Sequence, residues 1–192
     1  MSPDQSLRTF IAIELDPKLQ DALNLIQKEL KEVGADVKWV KHDNIHVTLK
    51  FLGDVPLEKI DSIKSVMQTT LAPIPAFSMV LTHLGAFPKV ENPQIIWVGA
   101  TADKNSIKHI ADSLEENLKT IGFEKEKRDF EPHITLGRMR SSQNKFALSK
   151  KIKNFQFPAE CPRQLVNQVA LFKSTLTPQG PIYETLAKIN LK

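Results

Sequence analysis

Residues 46–53 read HVTLKFLG, and residues 133–138 read HITLGR. Each stretch is a short run of β-branched and apolar residues that begins His-apolar-Thr-Leu and reads as a strand. Side chains two apart on a strand share a face. His46 and Thr48 therefore point together, as do His133 and Thr135, while Val47, Leu49, Ile134 and Leu136 point into a core. With 11 Thr and 21 Leu in 192 residues, a given histidine meets Thr at +2 and Leu at +3 in about 0.6% of cases by chance. Two of five histidines doing so is a specific signal, and one copy alone is not.

The surroundings repeat as well. RTFIAIEL (8–15) is a strand, Asp16-Pro17 starts a helix, and Leu19, Leu23, Ile26, Leu30 and Val33 recur at helical spacing before Gly34. IIWVGAT (95–101) is a strand, Asp103 is expected to cap a helix, and Ile107, Ala111, Leu114, Leu118 and Ile121 form its apolar face before Gly122. Phe10 precedes His46 by 36 residues, and Trp97 precedes His133 by 36. The two histidines lie 87 apart, and the helix faces match at 88. One residue is thus inserted near the second helix start and one is lost before the second histidine. The pattern predicts an α+β fold: a single domain over residues 1–192 with an internal duplication. Its two pseudo-symmetric lobes are each an antiparallel sheet with outer helices around a central cleft.

Between these blocks, helices are expected over 57–71 and within 141–153. Strands are expected over 37–40, 77–84, 166–176 and 182–191, with a loop from Gly85 to Pro93 and a strand end at Gly53. The composition is ordinary for a globular chain: 41% hydrophobic residues, 25% charged, net charge +4 and pI near 9.1. A lone Cys161 excludes an internal disulfide and a cysteine-based zinc site. No apolar run approaches a membrane span, and MSPDQSLRTF does not read as a signal peptide, so the expected address is the cytoplasm.

Two imidazoles offered to one cleft can act as acid and base together near neutral pH, because an unperturbed histidine titrates near ~6.5. Two hydroxyls beside them can hydrogen-bond non-bridging phosphate oxygens. That set suits in-line attack on a phosphodiester without a metal or other cofactor. Asp129 and Glu131 lie near His133, but only Asp43 and Asn44 flank His46, which makes a symmetric metal site a poor reading. Lys50 shares the parity of His46 and Thr48 and could touch an RNA backbone, or be a solvated lysine. Phe51 shares the parity of Val47 and Leu49 and is read as core rather than as a base-stacking platform. Trp39 and Trp97 are read as core, and His42, His83 and His109 as structural. Lys125, Lys127 and Arg128 read as a solvated loop. Lys145, Lys150, Lys151 and Lys153 could steer RNA or simply be surface.

On these residues the sequence resembles the 2H phosphoesterase superfamily. Within it, RTFIAIEL, HVTLKFLG, LTHLGAFP, IIWVG, FEPHITLGR, ALFKSTL and the segment around Tyr183 resemble the RNA 2′,3′-cyclic phosphodiesterases, also called 2′-5′ RNA ligases. The resemblance implies two lobes about a V-shaped cleft. It also implies hydrolysis of RNA 2′,3′-cyclic phosphate ends to 2′-phosphates, with His46 as proton donor and His133 as base. By the same resemblance Thr48, Thr135 and Arg138 bind the substrate phosphate. Arg138 has the wrong strand parity for this and needs a twist or bulge at Gly137. The implied partners are RNA ends, tRNA fragments among them, met by a monomer away from membranes. ATP-independent 2′-5′ ligation is the same chemistry reversed. Alternatives are 2′-5′ oligoadenylates or small cyclic nucleotides as substrates, or a non-catalytic RNA-binding module.

Overall fold

The computed structural model describes residues 6–157 and 161–192. The first five residues, part of the N-terminal stretch judged above for a signal peptide, lie outside that range. In chain order the elements are β1 (Ser6–Glu14), α1 (Pro17–Lys31), β2 (Val37–Trp39), β3 (His46–Pro56), α2 (Ile60–Leu71), β4 (Phe77–Phe87), β5 (Ile95–Ala102), α3 (Ser106–Lys119), β6 (His133–Met139), α4 (Lys145–Lys153), β7 (Arg163–Val166), β8 (Gln168–Thr177) and β9 (Gly180–Asn190).

The strands form one antiparallel sheet in the order β7-β4-β5-β6-β3-β1-β8-β9, with β2 added to β6. The order has a centre. β3 and β6, which carry the two motifs, meet there through one pair, Val47 opposite Ile134. On either side lie β1 and β5, then β8 and β4, then β9 and β7. The third strand from the centre on each side therefore comes from the other half of the chain: β4 follows α2 but pairs β5, and β8 follows α4 but pairs β1. The sequence reads 166–176 as one strand. That strand is β8 (168–177); the short β7 before it was not expected and pairs β4 while β8 pairs β1, so the chain crosses from one half-sheet to the other at Asn167.

Alternation along the strands separates two faces. Ile11, Ile13, Val47, Leu49, Ile96, Val98, Ile134 and Leu136 join the apolar sides of the helices in one continuous core. Phe10, Ala12, Ala170 and Phe172 form a second cluster on the opposite face, capped by Tyr183. Asp16 caps α1, its carboxylate accepting from Leu19 N–H at 2.8 Å. Asp103 does not cap α3. The extra residue in the second repeat forms a short turn with Lys104 and Asn105 in the left-handed region, and Ser106 Oγ donates to the Asp103 carbonyl instead.

Strand ends also differ from expectation. β3 runs past Gly53, which takes φ +73° and absorbs a bulge rather than ending the strand. β4 continues to Phe87, through the predicted loop. A second bulge matters more. Ala12 faces Thr48 while Ile11 faces Lys50, so Leu49 is an extra residue in β3. β6 repeats the device: Trp97 faces Thr135 while Ile96 faces Gly137, so Leu136 is extra. Both bulges come directly after the threonine of the motif, and each reverses the side-chain parity of the residues that follow it, in β3 as far as the bulge at Gly53.

Candidate active site

The bulges fix which side chains reach the cleft. His46 and Thr48 face it, then Leu49 and Lys50 both turn toward the helices, and Phe51 returns to the cleft. His133 and Thr135 face it, Leu136 and Gly137 turn away, and Arg138 returns. The bulge that Arg138 needs is present, one residue before the expected Gly137. The Leu136 carbonyl, freed from the regular ladder, accepts from Val40 N–H at 2.8 Å and from the Gln27 amide at 2.9 Å. Gln27 is buried and donates to the Val40 carbonyl as well, so α1 holds β2 and the bulge of β6 together.

Each histidine is held in the same way. His46 Nδ1 lies 2.8 Å from the Asn44 carbonyl, and His133 Nδ1 lies 2.8 Å from the Glu131 carbonyl. A carbonyl only accepts, so both Nδ1 atoms carry hydrogen and both Nε2 atoms are left free for chemistry. Each ring also rests on aromatic neighbours. Phe10 stacks on His46 at 4.9 Å, and Tyr183 meets it edge-on at 5.4 Å. Trp97 and Phe87 meet His133 at 6.0 and 5.1 Å. Burial pushes the His46 pKa below 6.5; the Asn44 carbonyl opposes this, and the charge of His133 adds to the lowering. The pairing of Val47 with Ile134 sets the two motifs side by side on adjacent strands.

His46, Thr48, Thr135 and Arg138 line a cavity of about 630 Å³. Its walls also carry Phe10, Trp39, Phe51 and Tyr183, and five cations: Arg8, Lys38, Lys41, Arg138 and Arg140. Among the described residues no carboxylate lines it. A second cavity of about 390 Å³ also borders His46. His133 borders neither cavity itself; its Thr135 does.

A family model described as LigT like Phosphoesterase matches residues 13–97 and again 98–183. The chain belongs to the LigT-like phosphoesterases. A Methanothermobacter thermautotrophicus relative called RNA 2′,3′-cyclic phosphodiesterase is 35% identical over 185 residues, covering 96% of this chain and 99% of the relative. A Methanocaldococcus jannaschii relative of the same name is 33% identical over 180 residues, 94% and 98% of the two chains. A crystal structure from Thermus thermophilus superposes with a TM-score of 0.76 at 25% identity, covering 96% and 98%. Escherichia coli LigT, solved with 3′-AMP, shares the fold with a TM-score of 0.77 at 22% identity, covering 98% and 99%.

Several predicted residues of this LigT-like chain behave otherwise than expected. Lys50 is not at the cleft. The bulge turns it inward, where it is 3% exposed and donates to Glu115 at 2.6 Å and to the Glu124 carbonyl at 2.9 Å. Phe51 is not core; it is 61% exposed. Trp39 packs half-buried against the core, as expected, and its strand also borders the cleft. Three of the four lysines read as steering RNA or as plain surface have partners outside the cleft, Lys145 with Asn92, Lys151 with Glu29 and Lys153 with Glu91, and Lys150, like them, does not line the cavity. Lys125 lies on an exposed loop, as expected, and pairs there with Glu116. His42 sits between Asp21 and Asp43, whose carboxylates raise its pKa, and Cys161 is partly buried, which raises that of its thiol. Sequence reading missed the cations that do line the cleft, Arg8, Lys38, Lys41 and Arg140. They lie on three different segments with no run or spacing to mark them.

Proposed function

We propose that the chain hydrolyses RNA 2′,3′-cyclic phosphate ends to 2′-phosphates, a reading supported by the name its full-length relatives carry. It does so as one duplicated unit in which each repeat supplies half of the reacting groups. The observation that carries the reading is the matched pair of imidazoles, each tied at Nδ1 to the carbonyl two residues before it, leaving both Nε2 atoms free. His133 Nε2 takes a proton from water as the water oxygen attacks phosphorus. His46 Nε2 gives a proton to the leaving 3′-oxygen on the opposite side. The P–O3′ bond breaks, a P–O bond to the former water forms, and the 2′-ester stays. Thr48 and Thr135 donate to the non-bridging oxygens, and Arg138 offsets the charge that builds on them.

His46 must be protonated to act as donor, yet its surroundings favour the neutral ring. A bound phosphate anion supplies the opposing field and raises its pKa in the complex. No step needs a metal. The test is an RNA oligonucleotide with a 2′,3′-cyclic phosphate, incubated with the protein and excess chelator, with the product phosphate located by phosphorus NMR. A 2′-phosphate is expected. A 3′-phosphate, no turnover, or turnover that requires added divalent ion refutes the mechanism.

A further inference from the structure

Asn44 reaches the first histidine from two directions. Its carbonyl holds His46 Nδ1 at 2.8 Å, as the Glu131 carbonyl holds His133 Nδ1. Its side chain has no counterpart in the second lobe. The Asn44 amide donates at 2.8 Å to the carbonyl of Pro181, 137 residues further on in β9. Glu131, at the matching place, is exposed, and its carboxylate forms neither an ion pair nor a hydrogen bond among the described residues.

What the amide holds is the far end of the β8–β9 hairpin. The ladder of β8 with β1 runs from Ala170 to Lys173, and beyond it the hairpin pairs with itself, from Ser174 opposite Tyr183 to Thr177 opposite Gly180. Among the described residues, Asn44 is the one side chain outside the hairpin that hydrogen-bonds this tip. Side chains alternate along β9, so Pro181 and Tyr183 share a face. With Pro181 anchored, Tyr183 packs edge-on against His46 at 5.4 Å and against Phe10, the ring stacked on His46, at 4.9 Å. His133 needs no such anchor, since its neighbours Trp97 and Phe87 stand on β5 and β4, inside the sheet, whereas β9 is an edge.

We propose that Asn44 is the positioning residue of the general acid: its carbonyl keeps a proton on His46 Nδ1, and its amide pins the β8–β9 hairpin so that Tyr183 stays packed on the ring. This rests on the function proposed above for the role of His46, and adds what keeps that ring in place. A carboxamide suits the task. A carbonyl only accepts, so the link needs a donor, and a neutral donor adds no charge beside the imidazole. Without the amide the tip moves off, water reaches the ring, and Nε2 loses its fixed direction toward the leaving oxygen. Burial is the main cause that holds the His46 pKa below 6.5, so its loss raises that pKa. The charged groups around the ring are untouched by the change: His133 and Arg138 of β6, Lys41 and Asp43 beside Asn44, and Glu14 of β1. Tyr183 stays neutral, its own pKa raised by burial.

The experiment follows the His46 Cε1 proton by NMR through a pH titration without substrate, the signal being assigned by its loss in His46→Ala. In parallel, kcat is measured on an oligoribonucleotide ending in a 2′,3′-cyclic phosphate. The variants are Asn44→Ala, Asn44→Leu, Tyr183→Ala and the double variant Asn44→Ala with Tyr183→Ala. The control is Asn144→Ala; the Asn144 amide also bonds backbone carbonyls, those of Val33 and Gly34, but lies outside the cavity. Asn44→Ala and Asn44→Leu are expected to raise the His46 pKa toward 6.5 and to lower kcat about 10- to 100-fold, the scale for misplacing a catalytic group by about 1 Å. Tyr183→Ala should do the same, and the double variant no more than either single one, because both break one contact. The control loses stability and moves neither reading. An unmoved His46 titration in Asn44→Ala, full function in Asn44→Leu, which fills the space without donating, or additive effects in the double variant overturns the proposal. A shifted titration in Asn44→Ala with no hydrolysis by the wild type sinks the proposed function and leaves the positioning role standing. Hydrolysis by the wild type, matched in both readings by Asn44→Ala, does the reverse.

Discussion

The two lobes agree in backbone and disagree in side chains. Each has a histidine tied at Nδ1 to a carbonyl two residues back, a threonine two residues on, and a bulge immediately after it. Around that shared frame the fillings differ. Phe10 stacks on Phe172 in the first lobe. In the second, the equivalent Trp97 lies against Gly85, where a Cβ would come within 2.4 Å of the indole. The larger ring is accommodated by removing the partner's side chain, which conserves volume. Behind the strands, Gln27 of α1 and Glu115 of α3 hold matching helix positions 88 residues apart. Gln27 reaches the Leu136 carbonyl, whereas Glu115 reaches the Lys50 ammonium. In front of them stand Arg138 and Phe51. The groups proposed to react have kept two-fold symmetry, and the groups around them have lost it. A single phosphorus needs matched groups on opposite sides, while the substrate that carries it is itself unsymmetrical.

The symmetric part is broken hardest at the histidines. His46→Ala and His133→Ala should each lower kcat/KM on a 2′,3′-cyclic phosphate end by about 10²- to 10⁴-fold, the usual range for a general acid or base. Near-equal losses support the pairing, and a variant that keeps wild-type turnover ends it. The pH profile then separates the roles. In the free enzyme the His46 pKa lies below 6.5, chiefly through burial. As proton donor it is active only when protonated, so activity declines as pH rises through that depressed value. The alkaline limb of kcat/KM should therefore fall below pH 6.5, with the corresponding limb of kcat higher because bound phosphate favours the imidazolium. Loss of the acid limb in His46→Ala, rather than the alkaline one, exchanges the two roles.

A smaller effect, on stability rather than turnover, comes from the buried pair of the first lobe. Lys50→Met leaves the Glu115 carboxylate, 15% exposed, without its cation. A loss of about 3 kcal/mol in denaturant unfolding is expected, because removing one member strands a charge in a poorly solvated place. The double variant Lys50→Met with Glu115→Leu should recover most of that loss. Failure to recover it shows that Lys50 matters for its bond to the Glu124 carbonyl rather than for the pair.

That lysine also shows where sequence reading stopped. The motif, the repeat, the helix faces and the inward set Val47, Leu49, Ile134 and Leu136 were all legible, because period and spacing are local. Arg138 already required a break in parity, because the resemblance puts it on the phosphate. The equivalent break after Thr48 had no such prompt, so Lys50 and Phe51 were assigned to exchanged faces. A one-residue bulge leaves no trace in an alternating pattern that is apolar on both sides, yet it inverts every later side chain. The crossover at Asn167 was hidden because β7, only four residues long, carries no periodic signal of its own and was not expected, while the expected strand 166–176 corresponds to β8. The cleft cations were illegible because the sheet order, not the chain order, brings β1, β2 and β6 together.

The smallest effect sharpens the comparison most, because it asks whether the bulge itself does anything. Gln27 is buried, and its amide donates at 2.9 Å to the carbonyls of both Val40 and Leu136. Gln27→Leu fills the same space and removes both donors. The Leu136 carbonyl keeps Val40 N–H, but the Val40 carbonyl loses this donor, so a cost of about 1–2 kcal/mol is expected. The consequence for function is indirect: Arg138 reaches the cleft only because Leu136 is extra, and Gln27 is what ties that extra residue to α1. KM should rise a few-fold with kcat unchanged, and the rise should vanish in an Arg138→Gln background, where there is no guanidinium left to misplace. Equal rises in both backgrounds show that Gln27 supports the sheet in general. No rise in either shows that the Val40 bond alone holds the bulge, as a helix on the other side of the molecule holds the first one through Lys50.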